Sequence, residues 1–138
     1  MALNLTSLGH ELGAHSMNHQ RLTTLSAAEI RQDLVENMAA FQPSPAVFRP
    51  PFGSTNSIVE KIVSNLGMKQ VLWSRGGTYP VDPEDDLKEA HKMRNGDILL
   101  LHLEGGEVGD NTEEHLDKIL TAIPAHLTRY TVSDCLEQ

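Results

Sequence analysis

The fold class is decided by one stretch of the chain, Gly96-Asp97-Ile98-Leu99-Leu100-Leu101-His102. Ile98 to Leu101 form an unbroken apolar run, which is typical of a strand buried on both faces of a parallel sheet. Neighbouring parallel strands need crossover connections, and these are usually helices. The segment therefore predicts an α/β protein with helices on both sides of this strand.

Helix signals do flank the strand. Ser26 and Glu29 form a capping box, and apolar residues at helical spacing follow it as far as Phe41, before Pro43. Further helices are predicted at about 56–66, 84–93 and 112–123. Short strands are predicted at 10–14, 46–48, 70–73 and 130–132, with Ser133 capping a final turn. Strands that alternate with helices indicate βαβ units. We therefore expect a single α/β domain over residues 1–138.

Composition and charge exclude several classes of protein. The chain has 138 residues, with 11 Lys+Arg against 19 Asp+Glu and a net charge of −8. This balance argues against nucleic acid or an anionic membrane as the main partner. Cys135 is the only cysteine, so an internal disulfide is excluded. No apolar run is long enough to span a membrane, and the N-terminal residues do not resemble a signal peptide, which leaves the localisation unknown. With 4% aromatic residues, the core is expected to be aliphatic.

The histidine-rich segment His15-Ser16-Met17-Asn18-His19 is the first candidate site. Two histidines four residues apart on a helical turn share one face, and their reach suits two ~2.0–2.1 Å bonds to one metal ion. The same spacing also fits a pair of exposed loop histidines. A catalytic zinc usually has three protein ligands, so two histidines alone leave the ligand set incomplete.

Two further segments carry candidate chemistry. In Arg49-Pro50-Pro51-Phe52 the double proline fixes the backbone, and Arg49 could hold a carboxylate. A strand-to-helix loop with a surface arginine would give the same sequence. His102 follows the apolar strand directly, where ligands bind in α/β folds, so it could act as a general acid or base. A histidine satisfied by loop backbone is the alternative. His91, His115 and His126 are expected to be solvated.

Taken in order, these segments resemble the polysaccharide deacetylase family, the NodB-type domains of carbohydrate esterase family 4. The second family motif, H-[ST]-x-x-H, is met by His15 to His19, and the third, R-x-P-[YF], by Arg49 to Phe52. The fifth motif, L-x-H after an apolar strand, is met by Leu100-Leu101-His102. The resemblance covers nearly the whole chain and implies a distorted (β/α) barrel with a divalent metal, often zinc.

The resemblance also implies roles for individual residues. His15 and His19 would bind the metal, which polarises the acetyl carbonyl and activates the attacking water. His102 would protonate the leaving amine, and Arg49 would orient the catalytic base. The substrate pocket would be lined by Pro51, Phe52, Trp73, Leu100 and Tyr79, with the Phe52 amide at the oxyanion. The substrate would be an N- or O-acetylated polysaccharide such as chitin or peptidoglycan.

Two departures from the family pattern lead to an alternative function. The sequence contains no T-F-D-D segment, the first motif, which supplies the base and the third metal ligand, so we expect a partial barrel truncated at the N-terminus. Arg75 to Tyr79 stand where the family often has an Asp-Trp pair, so the Asp that would tune His102 is not evident. The alternative is an inactive family member that binds a saccharide or metal, or serves assembly. An open barrel exposes strand edges, which predicts a homo-oligomer.

Overall fold

The computed structural model describes residues 2–77, 82–102 and 112–136, and it mixes helices with short parallel strands. The chain divides into two compact units: unit 1 comprises Met1–Leu72 and Tyr130–Gln138, and unit 2 comprises Trp73–Arg129. The elements follow in the order α1 (Ala2–Ser7), α2 (Ala27–Met38), β1 (Val47–Phe48), α3 (Ser57–Asn65), β2 (Lys69–Gln70), β3 (Arg75–Gly76), α4 (Pro83–His91), β4 (Leu99–Leu100), α5 (Thr112–Ala122) and α6 (Val132–Leu136). No helix in these described ranges is long and apolar enough to cross a membrane.

The sheet of unit 1 is parallel and short. β1 pairs with β2, with Phe48 opposite Gln70. Ala14 forms an isolated parallel bridge to Phe48, since its amide donates to Val47 and its carbonyl accepts from Arg49. The strand predicted at 46–48 is thus present, whereas the one predicted at 70–73 begins a residue earlier and ends at Gln70. The strand predicted at 10–14 is reduced to this single bridge.

The core of unit 1 lies between these strands and helices α2 and α3. Its buried members are Ala14, Leu22, Ile30, Leu34, Phe48, Val59, Val63 and Met68. Most are aliphatic, as the composition predicts, and Phe48 is the largest of the fully buried side chains. The predicted capping box is confirmed, because Glu29 accepts from the Ser26 amide at 2.8 Å and donates its own amide to Ser26 Oγ. This cap fixes where α2 begins and so which of its faces meets the core.

Unit 2 has its own parallel pair. β3 lies beside β4, with Gly76 opposite Leu100. Arg75 binds the Asp97 carboxylate at 2.5 Å and Glu89 at 3.3 Å, which ties β3 to α4 and to the residues before β4. The prediction that the strand at 98–101 is buried on both faces is wrong. Ile98 to Leu101 are half-buried, because β3 is the single strand that pairs with β4 in the described part of the chain.

The prediction of a strand at 130–132 is also wrong, because helix α6 begins at Val132. The Asp134 amide donates to Thr131 Oγ1 at 3.2 Å, so Thr131, and not Ser133, caps the helix. Ser133 lies inside α6, where both its amide and its hydroxyl donate to the Glu11 carboxylate. Side-chain acceptors for these first amides favour a helical turn over the extended backbone that the β-branched residues suggest.

Candidate metal and saccharide site

The histidine loop, residues 15–19, follows Ala14 and turns sharply. Ser16 and His19 adopt the left-handed backbone conformation, with φ of 72° and 50°. Ser16 is buried, and its hydroxyl accepts a hydrogen bond from the His19 amide at 2.9 Å. This turn brings the two imidazoles together, with ring centroids 5.0 Å apart. The structure thus confirms that His15 and His19 are neighbours, although they lie on a loop and not on a helical turn.

The orientation of His15 is set by the main chain of the next motif. Its Nδ1 lies 2.6 Å from the carbonyl oxygen of Arg49. A carbonyl can only accept, so Nδ1 carries the proton and the neutral ring has its lone pair on Nε2. Metal-binding histidines characteristically donate their other ring N–H to a carbonyl or carboxylate in this way. The His15 amide is held as well, by Asn37 Oδ1 at 3.2 Å.

These donors suit a divalent cation such as zinc, for which neutral imidazole is a common ligand. The two rings are close together, and the tautomer of His15 is the one that a metal needs. Across residues 2–77, 82–102 and 112–136, however, no group of three or more His, Cys, Asp or Glu side chains could hold a metal ion. The described part of the chain therefore presents two of the three protein ligands of a typical catalytic zinc site, with the tautomer set for His15.

Asp33 holds this loop through hydrogen bonds to its carboxylate. The sequence did not lead us to predict this role. Asp33 lies on α2 with a relative exposure of 5%. Its carboxylate accepts from the amides of Met17 and Asn18 and from the Asn18 side chain, all at 3.0 Å. A signal was present: Asp33 stands three residues after Ile30 and beside Leu34, so a charged residue occupies the buried face of the helix.

The proline segment, residues 49–52, places an aromatic ring beside the histidines. Pro50 and Pro51 are fully buried, whereas Phe52 is 54% exposed and has a positive φ of 58°. Its ring lies 4.8 Å from that of His19 in an edge-to-face arrangement. On the same ring, the Arg21 guanidinium carbon lies 4.6 Å from the centroid. The Phe52 ring thus offers an exposed apolar face beside the histidines, and Arg21 is a neighbour that the sequence did not indicate.

Arg49 is half-buried and carries an unsatisfied donor. Its Nε has no hydrogen-bond partner among the residues that the structure describes. Burial lowers the pKa of the guanidinium, because the charged form loses solvation. A buried cationic donor without an acceptor is costly. Its position next to the His15 contact fits the predicted interaction with a carboxylate.

The remaining predicted site residues lie in unit 2. Gly77 has a φ of 83°, and a Cβ there would lie 2.8 Å from Trp73 Nε1 and 3.0 Å from Leu100 Cδ2. Trp73 and Leu100 therefore both lie close to Gly77. His102 is exposed and follows β4 closely, as expected. Tyr79 lies outside the described residues.

A buried carboxylate also lies in this unit. Asp86 on α4 is 4% exposed, and burial raises its pKa, an effect that the charges of His115 and His102 oppose. The Nε2 of His115 is buried and has no hydrogen-bond partner within the described ranges, so the prediction that His115 is solvated is wrong. The helix α5 that carries it packs on α4, which the sequence pattern alone did not indicate. His91 and His126 are exposed, as predicted.

Comparison with known proteins identifies this class of fold. A family 4 carbohydrate esterase pseudoenzyme from Bacillus anthracis has a solved structure that superposes with a TM-score of 0.79 at 26% identity, covering 96% of this chain and 48% of that chain. A peptidoglycan-N-acetylglucosamine deacetylase of Bacillus cereus is 34% identical over 93% of this chain and 64% of its own length. Chitin deacetylase 1 of Cryptococcus neoformans is 29% identical over 82% of this chain and 23% of its own length.

The sequence model of the polysaccharide deacetylase family matches residues 2–71, which include the histidine loop and the proline segment. The chain belongs to the polysaccharide deacetylase family, and the resemblance drawn from its motifs is confirmed. It spans less than two thirds of the length of the two relatives named above.

Proposed function

We propose that the chain carries part of a metal-dependent deacetylase that removes acetyl groups from an acetylated polysaccharide such as peptidoglycan or chitin. The contact between His15 Nδ1 and the Arg49 carbonyl carries the proposal, because it fixes the ligand tautomer beside His19. Family membership and the activities for which the Bacillus cereus and Cryptococcus neoformans relatives are named support the substrate class.

Each candidate site residue of unit 1 has a defined role in this proposal. His15 and His19 hold the divalent metal, for which zinc is the first candidate. A metal bound there polarises a carbonyl and lowers the pKa of water. Arg49 orients the carboxylate that serves as general base. Phe52 forms one wall of the sugar site on a backbone that the buried Pro51 fixes, with the Phe52 amide directed at the oxyanion.

The residues of unit 2 serve the leaving group. When the bond between the acetyl carbon and the sugar nitrogen breaks, that nitrogen takes a proton, and His102 donates it. Leu100 and Trp73, which both lie close to Gly77, contact the acetyl methyl and the sugar, and Tyr79 adds a stacking surface. Asp86 is the carboxylate whose charge is coupled to His102, and it takes the place of the missing motif aspartate.

The fold in this proposal is a partial, distorted (β/α) barrel of the NodB type. We assign the general base and the third metal ligand to carboxylates supplied by a partner chain. Ala14 pairs with β1 on one side, and a strand added beyond it would extend the sheet. A second copy of the chain is one source of such a strand, so assembly into a homo-oligomer forms part of the proposal.

The second candidate function is an inactive module that binds a saccharide or a metal. It is favoured by the metal-ligand set, which stops at two histidines in the part of the chain that the structure describes. The exposed Phe52 ring would bind a sugar in either case. The two candidates differ in whether acetate is released.

Zinc titration of the metal-stripped chain, followed by an acetate-release assay on N-acetylated oligosaccharide, tests the proposal. His15→Ala and His19→Ala should each abolish zinc binding, whereas His126→Ala, which removes an exposed histidine of unit 2, should leave it unchanged. Zinc binding with acetate release supports the deacetylase, and binding without release supports the inactive module. Equal zinc affinity of wild type and His15→Ala would contradict both metal assignments.

A further inference from the structure

We propose that Asp33 is a positioning residue that holds the histidine loop, residues 15–19, in the geometry needed for metal binding. This inference rests on the proposed function for the identity of the ligands. Asp33 does not touch either imidazole in any hydrogen bond that the described residues show. It acts through the backbone between them.

The contacts of Asp33 account for the shape of the loop. One carboxylate oxygen accepts from the Met17 amide, and the other accepts from the Asn18 amide and side chain. Two successive amides therefore point at one buried carboxylate. Hydrogen bonds to an ionised acceptor are roughly twice as strong as neutral ones. Together with the bond from the His19 amide to Ser16, they secure a turn that contains two left-handed non-glycine residues.

Side-chain packing cannot hold the loop in this shape. Met17 is 56% exposed, and His15, Asn18 and His19 are exposed as well. The loop side chains that form hydrogen bonds hold its two ends and Asn18: His15 bonds the Arg49 carbonyl, Ser16 accepts from the His19 amide, and Asn18 donates to Asp33. The middle of the loop, residues 17 and 18, is therefore attached to helix α2 through Asp33.

The helix below the loop makes the attachment rigid. Asp33 is flanked on α2 by Ile30 and Leu34, whose relative exposures are 1% and 0%. A buried ionised side chain costs free energy unless it is paired or hydrogen-bonded. Asp33 has no ion pair among those found in the described part of the chain, so its compensation comes from the loop. Removing the carboxylate would leave the Met17 and Asn18 amides without these acceptors.

Asp33→Asn is the main test, since it keeps the size of the side chain but replaces one acceptor oxygen with a donor. Ser26→Ala is the matched control. It removes the cap of the same helix, which lowers the free energy of unfolding by about 1 kcal/mol, without touching the loop. Asp33→Glu keeps both acceptors on a longer stem. Zinc affinity is measured by calorimetry on the metal-stripped full chain.

We expect Asp33→Asn to weaken zinc binding by about tenfold or more, the size of effect seen when groups that orient metal ligands are removed. Asp33→Glu should recover part of the affinity, and Ser26→Ala should leave it unchanged. Unchanged zinc affinity in folded Asp33→Asn, or an equal loss in Ser26→Ala, would overturn the inference. The second result would mean that affinity follows the stability of α2.

A measurement without metal separates this inference from the proposed function. Hydrogen exchange of the Met17 and Asn18 amides reports the loop in the metal-free chain. Exchange that becomes faster in Asp33→Asn but not in Ser26→Ala supports the positioning role, even if wild type binds no zinc and the proposed function fails. Equal exchange rates in wild type and Asp33→Asn would refute the positioning role, whatever the zinc titration shows.

Discussion

The Nδ1 atom of His15 lies 2.6 Å from the carbonyl oxygen of Arg49, and this contact joins the histidine loop to the proline segment. Arg49 therefore has two separable tasks. Its main chain orients a metal ligand, and its side chain presents a half-buried cation. A substitution at Arg49 can remove the second task and leave the first in place.

Arg49→Met is expected to leave zinc affinity unchanged while it abolishes acetate release. The methionine keeps an unbranched stem and removes a buried donor that has no partner among the described residues. We therefore expect the free energy of unfolding to rise by about 1 kcal/mol, the scale of an unsatisfied buried polar group. Chemical denaturation, zinc calorimetry and the acetate assay measure the three quantities. A clear loss of stability would show that the Arg49 side chain has an acceptor that the proposal does not include.

His102→Ala should lower the rate of acetate release by about 10²–10⁴-fold, the usual contribution of a general acid or base. Zinc affinity should stay at the wild-type value, because the metal is assigned to His15 and His19. The control is His126→Ala, which removes an exposed histidine of the same unit. If His102→Ala released acetate at the wild-type rate, the proton would have to come from another group.

Gly77→Ala should displace Trp73 or Leu100, because both lie close to Gly77. A Cβ at residue 77 would lie 2.8 Å from the Trp73 indole nitrogen, and φ is 83°. Gly96→Ala is a matched control, since its φ is also 83° but nothing lies within 4 Å of the added Cβ. Both variants should lose about 1–2 kcal/mol of stability from the left-handed conformation.

The two glycine variants differ in their fluorescence. Trp73 is the only tryptophan of the chain, so a shift of tryptophan emission reports a change in its surroundings. Only Gly77→Ala should shift the emission and lose additional stability. Identical spectra and stabilities for the two variants would contradict the close approach at Gly77.

Asp97 makes the stability of unit 2 sensitive to acid. Its hydrogen bonds from Arg75 and Ser74 lower its pKa from 3.8 to about 2. A carboxyl group whose pKa is lowered by folding stabilises the protein above its unfolded pKa, and that contribution disappears as the pH falls through the folded value. Wild type should therefore lose stability between about pH 4 and pH 2.

Thermal unfolding between pH 7 and pH 2 checks this contribution. Asp97→Asn should be less stable than wild type at pH 7 and should show a weaker fall below pH 4. Asp117→Asn, which alters an exposed carboxylate of the same unit, should follow the wild-type curve. If the stability of wild type and of Asp97→Asn fell in parallel as the pH is lowered, Asp97 would not be the cause of the acid sensitivity.

The sequence predicted those features that depend on local pattern. The capping box at Ser26 and the burial of Ile30 and Leu34 along α2 follow from local pattern, and the structure confirms them. The pairing of His15 with His19 was also visible, because both lie in one short segment. The family motifs then identified the family.

The features that were missed depend on contacts between distant parts of the chain. The Met17 and Asn18 amides bind Asp33 from another element, and no periodic pattern reports such a bond. Helix α6 replaced the strand expected from Tyr130 to Val132, because Glu11, far away in sequence, accepts the Ser133 amide. Burial of His115 follows from the packing of α5 on α4.

The bond from Ser133 to Glu11 joins residues 122 positions apart, with the whole of unit 2 inserted between the two parts of unit 1. During synthesis, Glu11 leaves the ribosome long before its partner exists. The entropy of closing this loop favours nucleation elsewhere, among nearer elements such as α2, β1 and α3. Docking of α6 is then a late event on the folding route. Weakening it, for example by Ser133→Ala, should accelerate unfolding and leave the refolding rate almost unchanged.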